Sequence, residues 1–201
     1  MTSTISCLYD NYSDAQIAVG KLEAAGVPHS DISIVANNSD GSHVIGKKDR
    51  DHDGVDDRAD AAGKGAGVGA GVGGAAGLLA GLGLLAIPGL GPVVAAGWLA
   101  ATAVGAAVGA TTGGLVGALT EAGVSKEDAD HYAEGVRRGG TLVTARVADA
   151  DKVRLDAVLQ TSSVNLMDRS ASWKKSGWTG YNPTSQPYDA EMVRKERTLY
   201  K

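Results

Sequence analysis

Between Lys64 and Glu121 the chain carries no ionisable side chain: 56 consecutive residues, Gly65 to Thr120, are free of charge. A helix that is apolar all round must be buried, in protein or in lipid. The flanks are ordinary by contrast. Residues 1–64 hold 6 basic and 11 acidic residues, a net of -5, and residues 121–201 hold 13 basic and 12 acidic, a net of +1. This pattern is that of an apolar module inserted into a soluble one. It divides the chain into 1–36, an acidic loop at 37–64, the apolar segment 65–120, a second polar part at 121–170 and a tail at 171–201.

Within the apolar segment, glycine recurs every four residues. Gly65, Gly69, Gly73, Gly77 and Gly81 form one series, and Gly105, Gly109, Gly113 and Gly117 form a second. Four-residue spacing puts each series on one helix face, where a second backbone can approach closely, as in the small-residue packing of membrane helices. The Pro- and Gly-rich run Ile87-Pro88-Gly89-Leu90-Gly91-Pro92 reads as a turn. The expectation is therefore a helical hairpin with arms 65–86 and 93–119, about 33 and 40 Å long at about 1.5 Å per residue. Nine glycines in the first arm each cost roughly 1 kcal/mol against alanine. Self-association through the nine repeat glycines is the compensation expected.

Each arm is long enough for a hydrocarbon core of about 30 Å. The Leu and Val of the first arm contribute roughly -2 to -4 kcal/mol to insertion, which is marginal. Two settings follow: assembly in or on the cytoplasmic membrane, or a soluble closed homo-oligomer with the hairpins inside. Met1 to Asp10 has no basic start and no long apolar run, so no signal peptide is expected. The expected address is the cytoplasmic side, in contact with inner-membrane lipid in the first setting.

The polar parts have clear periods. Thr4 to Tyr9 alternates, with Ile5, Cys7 and Tyr9 on one face, as a strand does. Ser13 and Gln16 have the spacing of a capping box. Ala15, Ala18, Val19 and Leu22 then fall at helical spacing, and Gly26 and Pro28 end the helix. Ile32 to Ala36 reads as a second strand. Ser125 caps a helix with the stripe Ala129, Tyr132, Ala133 and Val136, stopped at Gly139-Gly140. Val143, Ala145 and Val147 alternate in the next strand. A helix at 152–160 and a strand at 164–168 follow. With the insertion and its trailing helix removed, β-α-β-β-α-β remains: an α+β, ferredoxin-like sandwich. A rearranged α/β sandwich is the alternative. In the tail, Trp173, Trp178, Tyr181, Tyr188 and Tyr200 stand among Ser, Gly and Pro. Composition reads this as a flexible extension, or as an arm docking its aromatics on a neighbouring subunit.

The apolar segment and the run that follows it resemble a bacterial family, the general stress protein domain family of heat- or low-temperature-induced proteins. The residues concerned are Gly65 to Gly77, the turn Ile87 to Pro92, Gly113-Gly114-Leu115-Val116-Gly117-Ala118-Leu119, and Glu127 to Val143 with its core Tyr132-Ala133-Glu134-Gly135-Val136-Arg137-Arg138-Gly139-Gly140. Gly177-Trp178-Thr179-Gly180-Tyr181 in the tail is similar too. The resemblance implies a stress-linked, non-enzymatic protein and brings no catalytic motif.

Candidate chemistry is sparse. Asp49, Asp51, Asp53, Gly54, Val55, Asp57 and Asp60 occupy positions 1, 3, 5, 6, 7, 9 and 12 of a calcium-loop pattern. Asp60 replaces the usual Glu, Asp56 stands at position 8, and no helix leads in. A weak calcium-binding module is thus a further alternative to a solvated acidic hinge. Otherwise no cofactor is expected. His29, His43, His52 and His131 lack metal-ligand spacing, with His131 placed near the polar face of its helix. Cys7 falls on an inward strand face, where a buried inert thiol is expected. Residues 67–72 lack the Lys-Ser/Thr of a phosphate loop. A net charge of -4 argues against nucleic acid as partner. Lys174-Lys175 and Arg194-Lys195 are short basic spots, read as solvated. No small-molecule substrate is indicated, and no triad or paired-carboxylate set stands out.

Overall fold

The computed structural model describes residues 1–41, 83–102 and 114–199. Strand β1, Thr2–Tyr9, leads into helix α1, Tyr12–Ala24. The cap of α1 is Asn11 rather than Ser13. Asn11 Oδ1 accepts the Asp14 backbone N–H at 2.9 Å, and the Ser13 hydroxyl donates to the same oxygen at 2.7 Å. Asn is among the best N-cap residues, and starting there lets Tyr12 join the helix. Strand β2, Ile32–Asn37, follows a short 3₁₀ turn. Next come β3, Gly83–Ile87, β4, Gly91–Ala96, and a helical turn at 98–102. Helices α2, Gly114–Glu121, and α3, Lys126–Arg137, precede β5, Thr141–Ala148. The chain closes with α4, Lys152–Gln160, α5, Leu166–Lys175, and α6, Ala190–Thr198.

The five strands form one sheet in the order β1-β5-β2-β4-β3, with every neighbouring pair antiparallel. β1 and β2 therefore run parallel on either side of β5, joined by α1 in a split β-α-β unit. Period-two alternation assigns the faces. Ile5, Cys7, Tyr9, Ile32, Ile34, Val143, Ala145 and Val147 meet α1 and α4 through Val19, Leu22, Leu155 and Leu159. On the opposite face Leu8, Val35, Val93 and Leu142 meet α2, α3 and α5 through Leu115, Leu119, Ala133, Val136 and Trp173. Each fully buried Leu, Ile or Val contributes about 1.5–3 kcal/mol. The two helical layers thus hold the sheet from both sides.

The expected helical hairpin is corrected at 83–96, while 114–119 is helix as expected and 65–82 and 103–113 lie outside the described residues. Gly83–Ile87 and Gly91–Ala96 lie at the facing ends of its two arms, and they are strands, not helix. The turn between them is real but joins strands. The Leu90 N–H donates to Ile87 O at 3.0 Å and Gly89 has φ +76°. That is a type II turn with Pro88 and Gly89 in the two central places. An unbroken apolar run cannot tell a doubly buried strand from a helix. Pairing on both sides decides it, because Val94 and Ala96 satisfy their backbone groups against Ala36 and Ile34 of β2, and Val93 and Ala95 theirs against Leu85 and Gly83 of β3.

The strand expected at 164–168 is also absent. The Val164 N–H makes one edge bond, 2.7 Å to Leu8 O. Asn165 Oδ1 then accepts from Met167 and Asp168 N–H at 3.1 and 3.3 Å and starts α5. Nor is the tail a loose extension, since α5 and α6 pack on the domain and bury Trp173 and Val193. Helices α2 and α5 run across the expected junctions at 120/121 and 170/171.

Candidate functional site

Among the described residues, the densest charged cluster sits where the last turn of α3 meets the tail. Glu134, Arg137 and Arg138 lie three and four residues apart, which places them side by side on a helix. Glu134 is 1% exposed. It accepts Arg137 Nε and Nη2 at 2.9 and 2.8 Å, and Arg138 Nε at 2.6 Å. From α6, Glu196 accepts Arg138 Nη1 at 2.9 Å. Burial alone would lower the Arg138 pKa, but the hydrogen bonds and charges of Glu196 and Glu134 outweigh it and hold the group above its usual value. Arg197 donates through Nη2 to Gly139 O, the open end of α3, at 2.9 Å and through Nη1 to Asp40 at 2.9 Å. A cation at a helix C-terminus is well placed for the helix dipole.

The tail aromatics close the same region. Trp173 packs edge-on against Trp178 at 5.8 Å, and Trp178 lies 5.2 Å from the His131 ring. Arg138 sits 5.1 Å over Trp173, and Arg137 sits 4.5 Å over Tyr188. Tyr181, in the strap of residues 176–189 between α5 and α6, donates to Pro88 O at 2.8 Å and fastens that strap to the β3–β4 turn. A cavity of about 10 Å³ remains among Asp10, Arg138, Arg169, Trp173 and Glu196, room for about one water molecule. Its arginines are paired, Arg169 with Asp10 at 2.8 and 3.0 Å. The arrangement ties the tail to the end of α3. A larger groove of about 500 Å³ runs past Asp31, Arg146, Asp151 and Arg154. Its cations are paired as well, Arg146 with Asp31 and Arg154 with Asp151, each at 3.0 Å.

The two sheet edges differ. On β1, Ser6 O accepts the Tyr132 hydroxyl at 2.6 Å and Leu8 O accepts the Val164 N–H. Thr4 donates its own hydroxyl to Ala122 O at 2.6 Å. Two carbonyls of that edge are thus occupied, one by a side chain and one by the loop before α5. On β3, Leu84 is 66% exposed and Gly83 and Ala86 are exposed too.

Of the residues singled out from sequence, Gly117 lies in α2, half-buried. Gly65, Gly69, Gly73, Gly77, Gly81, Gly105, Gly109 and Gly113 lie outside the described residues, as do Asp49, Asp51, Asp53, Asp57, Asp60, His43, His52 and Tyr200. Among the described residues no group of three or more His, Cys, Asp or Glu is placed to hold a metal. His29 Nδ1 is 3.1 Å from Glu23 Oε1. His131, expected near a polar face, is buried because the tail covers it with Trp178. Cys7 is buried, and its thiol is pushed up to about 11, first by burial and then by the charge of Asp156. A thiol held in that state is a poor nucleophile. Lys174, Lys175, Arg194 and Lys195 are exposed.

Sequence reasoning missed the Glu134 cluster and its link to Glu196. The one signal was an acidic residue three and four places before two arginines at a helix end. Among the described residues no helix is long and apolar enough to cross a membrane. No family model matches the chain, and neither a curated protein nor a solved structure matches it.

Proposed function

We propose that this is a non-enzymatic stress-response protein that self-assembles through its charge-free segment. One observation carries the assembly part. The sequence offered two association elements, the aromatic tail and the charge-free segment. The tail spends Trp173, Trp178, Tyr181 and Tyr188 on its own domain, which leaves the charge-free segment for partners. The stress role rests on the resemblance at Gly65–Gly77, Ile87–Pro92 and Glu127–Val143. A ferredoxin-like ancestry is part of the proposal. β1, β5 and β2 with α1 have the split arrangement, and Val164 makes its bond to Leu8 on the side where a fourth strand would pair.

Of the two settings, a homo-oligomer away from the bilayer is favoured. β3 and β4 draw residues from both arms of the expected hairpin into the sheet, which shortens what each arm can commit to a bilayer and supports this choice. Fractionation without detergent tests this. The expected result is a discrete species larger than the monomer in the high-speed supernatant, and recovery in the membrane pellet would reverse the choice of setting. Gly73→Leu and Gly109→Leu should dissociate the oligomer while Ala107→Leu should not, because bulk on the glycine face holds backbones apart. A monomer at all concentrations in sedimentation would sink the assembly reading. Unchanged protein level under heat and cold shock would sink the stress reading.

A further inference from the structure

We infer that β3 is a docking edge for a second copy of this chain, pairing antiparallel with its own counterpart about Leu85. The inference rests on the self-assembly reading and gives it a surface. Residues along a strand alternate in the direction of their backbone groups. Pro92 O of β4 accepts the Asn38 N–H at 2.9 Å, toward β2. Gly91, Val93 and Ala95 therefore face β3, where they lie opposite Ile87, Leu85 and Gly83. Leu84 and Ala86 are left with their N–H and C=O groups turned outward from the sheet. Both residues are exposed, Leu84 to 66%.

The strand suits its own copy for three reasons. A two-fold axis through Leu85 sets Leu84 opposite the partner's Ala86 and Ala86 opposite the partner's Leu84. Each such pair exchanges two hydrogen bonds, with the two Leu85 residues as the close non-bonded pair between them. Second, the strand lies deep in the charge-free stretch, far in sequence from both Lys64 and Glu121. The paired strands themselves thus place no like charges opposite one another, whereas proteins that keep an edge solitary place charge or proline there. Third, the opposite edge is partly covered, its Ser6 and Leu8 carbonyls being taken by Tyr132 and Val164. Among the described residues β3 is the edge left without a covering element, so pairing there joins two copies in an isologous interface that stops at two.

The test is sedimentation velocity of the full chain over a concentration series, with amide exchange read at Leu84 and Ala86. Ala86→Pro removes an outward donor without touching the bonds to β4, a position where strands tolerate proline. Leu84→Lys adds charge at the joint. Each should raise the dissociation constant on the order of tenfold while leaving the melting temperature of the dilute protein unchanged. Ala86→Val should assemble as the parent does. The two amides should exchange slowly in the oligomer and quickly in the monomer. If Ala86→Pro leaves assembly intact while Gly73→Leu or Gly109→Leu abolishes it, the edge inference fails and self-assembly stands. If the parent chain is a monomer throughout, both fail. Slow exchange of both amides in the monomer would mean that the chain covers this edge itself, which also overturns the inference.

Discussion

Arg138 Nη1 stands 2.9 Å from Glu196 Oε1, joining the end of α3 to a helix 58 residues further along the chain. This contact holds α6 down, together with Arg197 on Gly139 O and the burial of Val193. Glu196→Ala should therefore free α6 to open locally. Trypsin should then cut after the exposed Arg194 and Lys195 severalfold faster, with little change in the rest of the fold. An unchanged cleavage rate would show that Val193 alone fixes the helix.

Removing Glu134 should do more damage. It is 1% exposed and serves two arginines. Truncation leaves both cations short of a buried partner, a loss of about 3–5 kcal/mol. Glu134→Ala should lower the urea midpoint accordingly, and a loss under about 1 kcal/mol, the scale of a surface pair, would show that solvent enters the cluster.

Alkaline pH should destabilise the protein partly through Cys7. Its pKa rises from 9.0 unfolded to about 11 folded, so above pH 9 the unfolded chain gives up the proton first. The contribution is fully present below pH 9 and is lost as pH climbs through 11, about 2–3 kcal/mol in all. Tyr9 and Tyr132, also raised by burial, act in the same direction at higher pH. In Cys7→Ala the slope of unfolding free energy between pH 9 and 11 should be shallower. An identical slope in both proteins would contradict the buried thiol.

Gly89 joins the turn to the strap. Its φ of +76° disfavours any side chain, and a Cβ there would stand 2.7 Å from Pro183 Cα and 2.8 Å from Tyr181 Oη. Gly89→Ala should cost upward of about 1 kcal/mol from backbone conformation and displace the strap as well. The Tyr181 fluorescence and the thermal midpoint should change together, whereas Gly26→Ala, with φ +95° but open space around it, should lower the midpoint alone.

The sequence by itself determined the elements whose apolar residues follow one period. β1, α1, β2, α3, β5 and α4 were legible because alternation or helical spacing states which face is buried. Caps such as Ser125 and stops such as Gly139 mark their ends. It also determined the place of the Pro88-Gly89 turn, since few other residue pairs suit it. Tertiary structure decided the rest. Val93 to Ala96 are apolar on every side, so no period exists to separate strand from helix, and the free edge of β2 made the choice. Val164 to Asp168 could extend the sheet, but the capping oxygen of Asn165 competes for the backbone and starts α5. The tail carries no period because its residues answer to the surface they cover. Trp173, Tyr188 and Glu196 find their places only once Arg137, Arg138 and Glu134 have been brought together at the end of α3. Docking of the tail on that cluster depends on contacts some sixty residues apart, which local spacing does not encode.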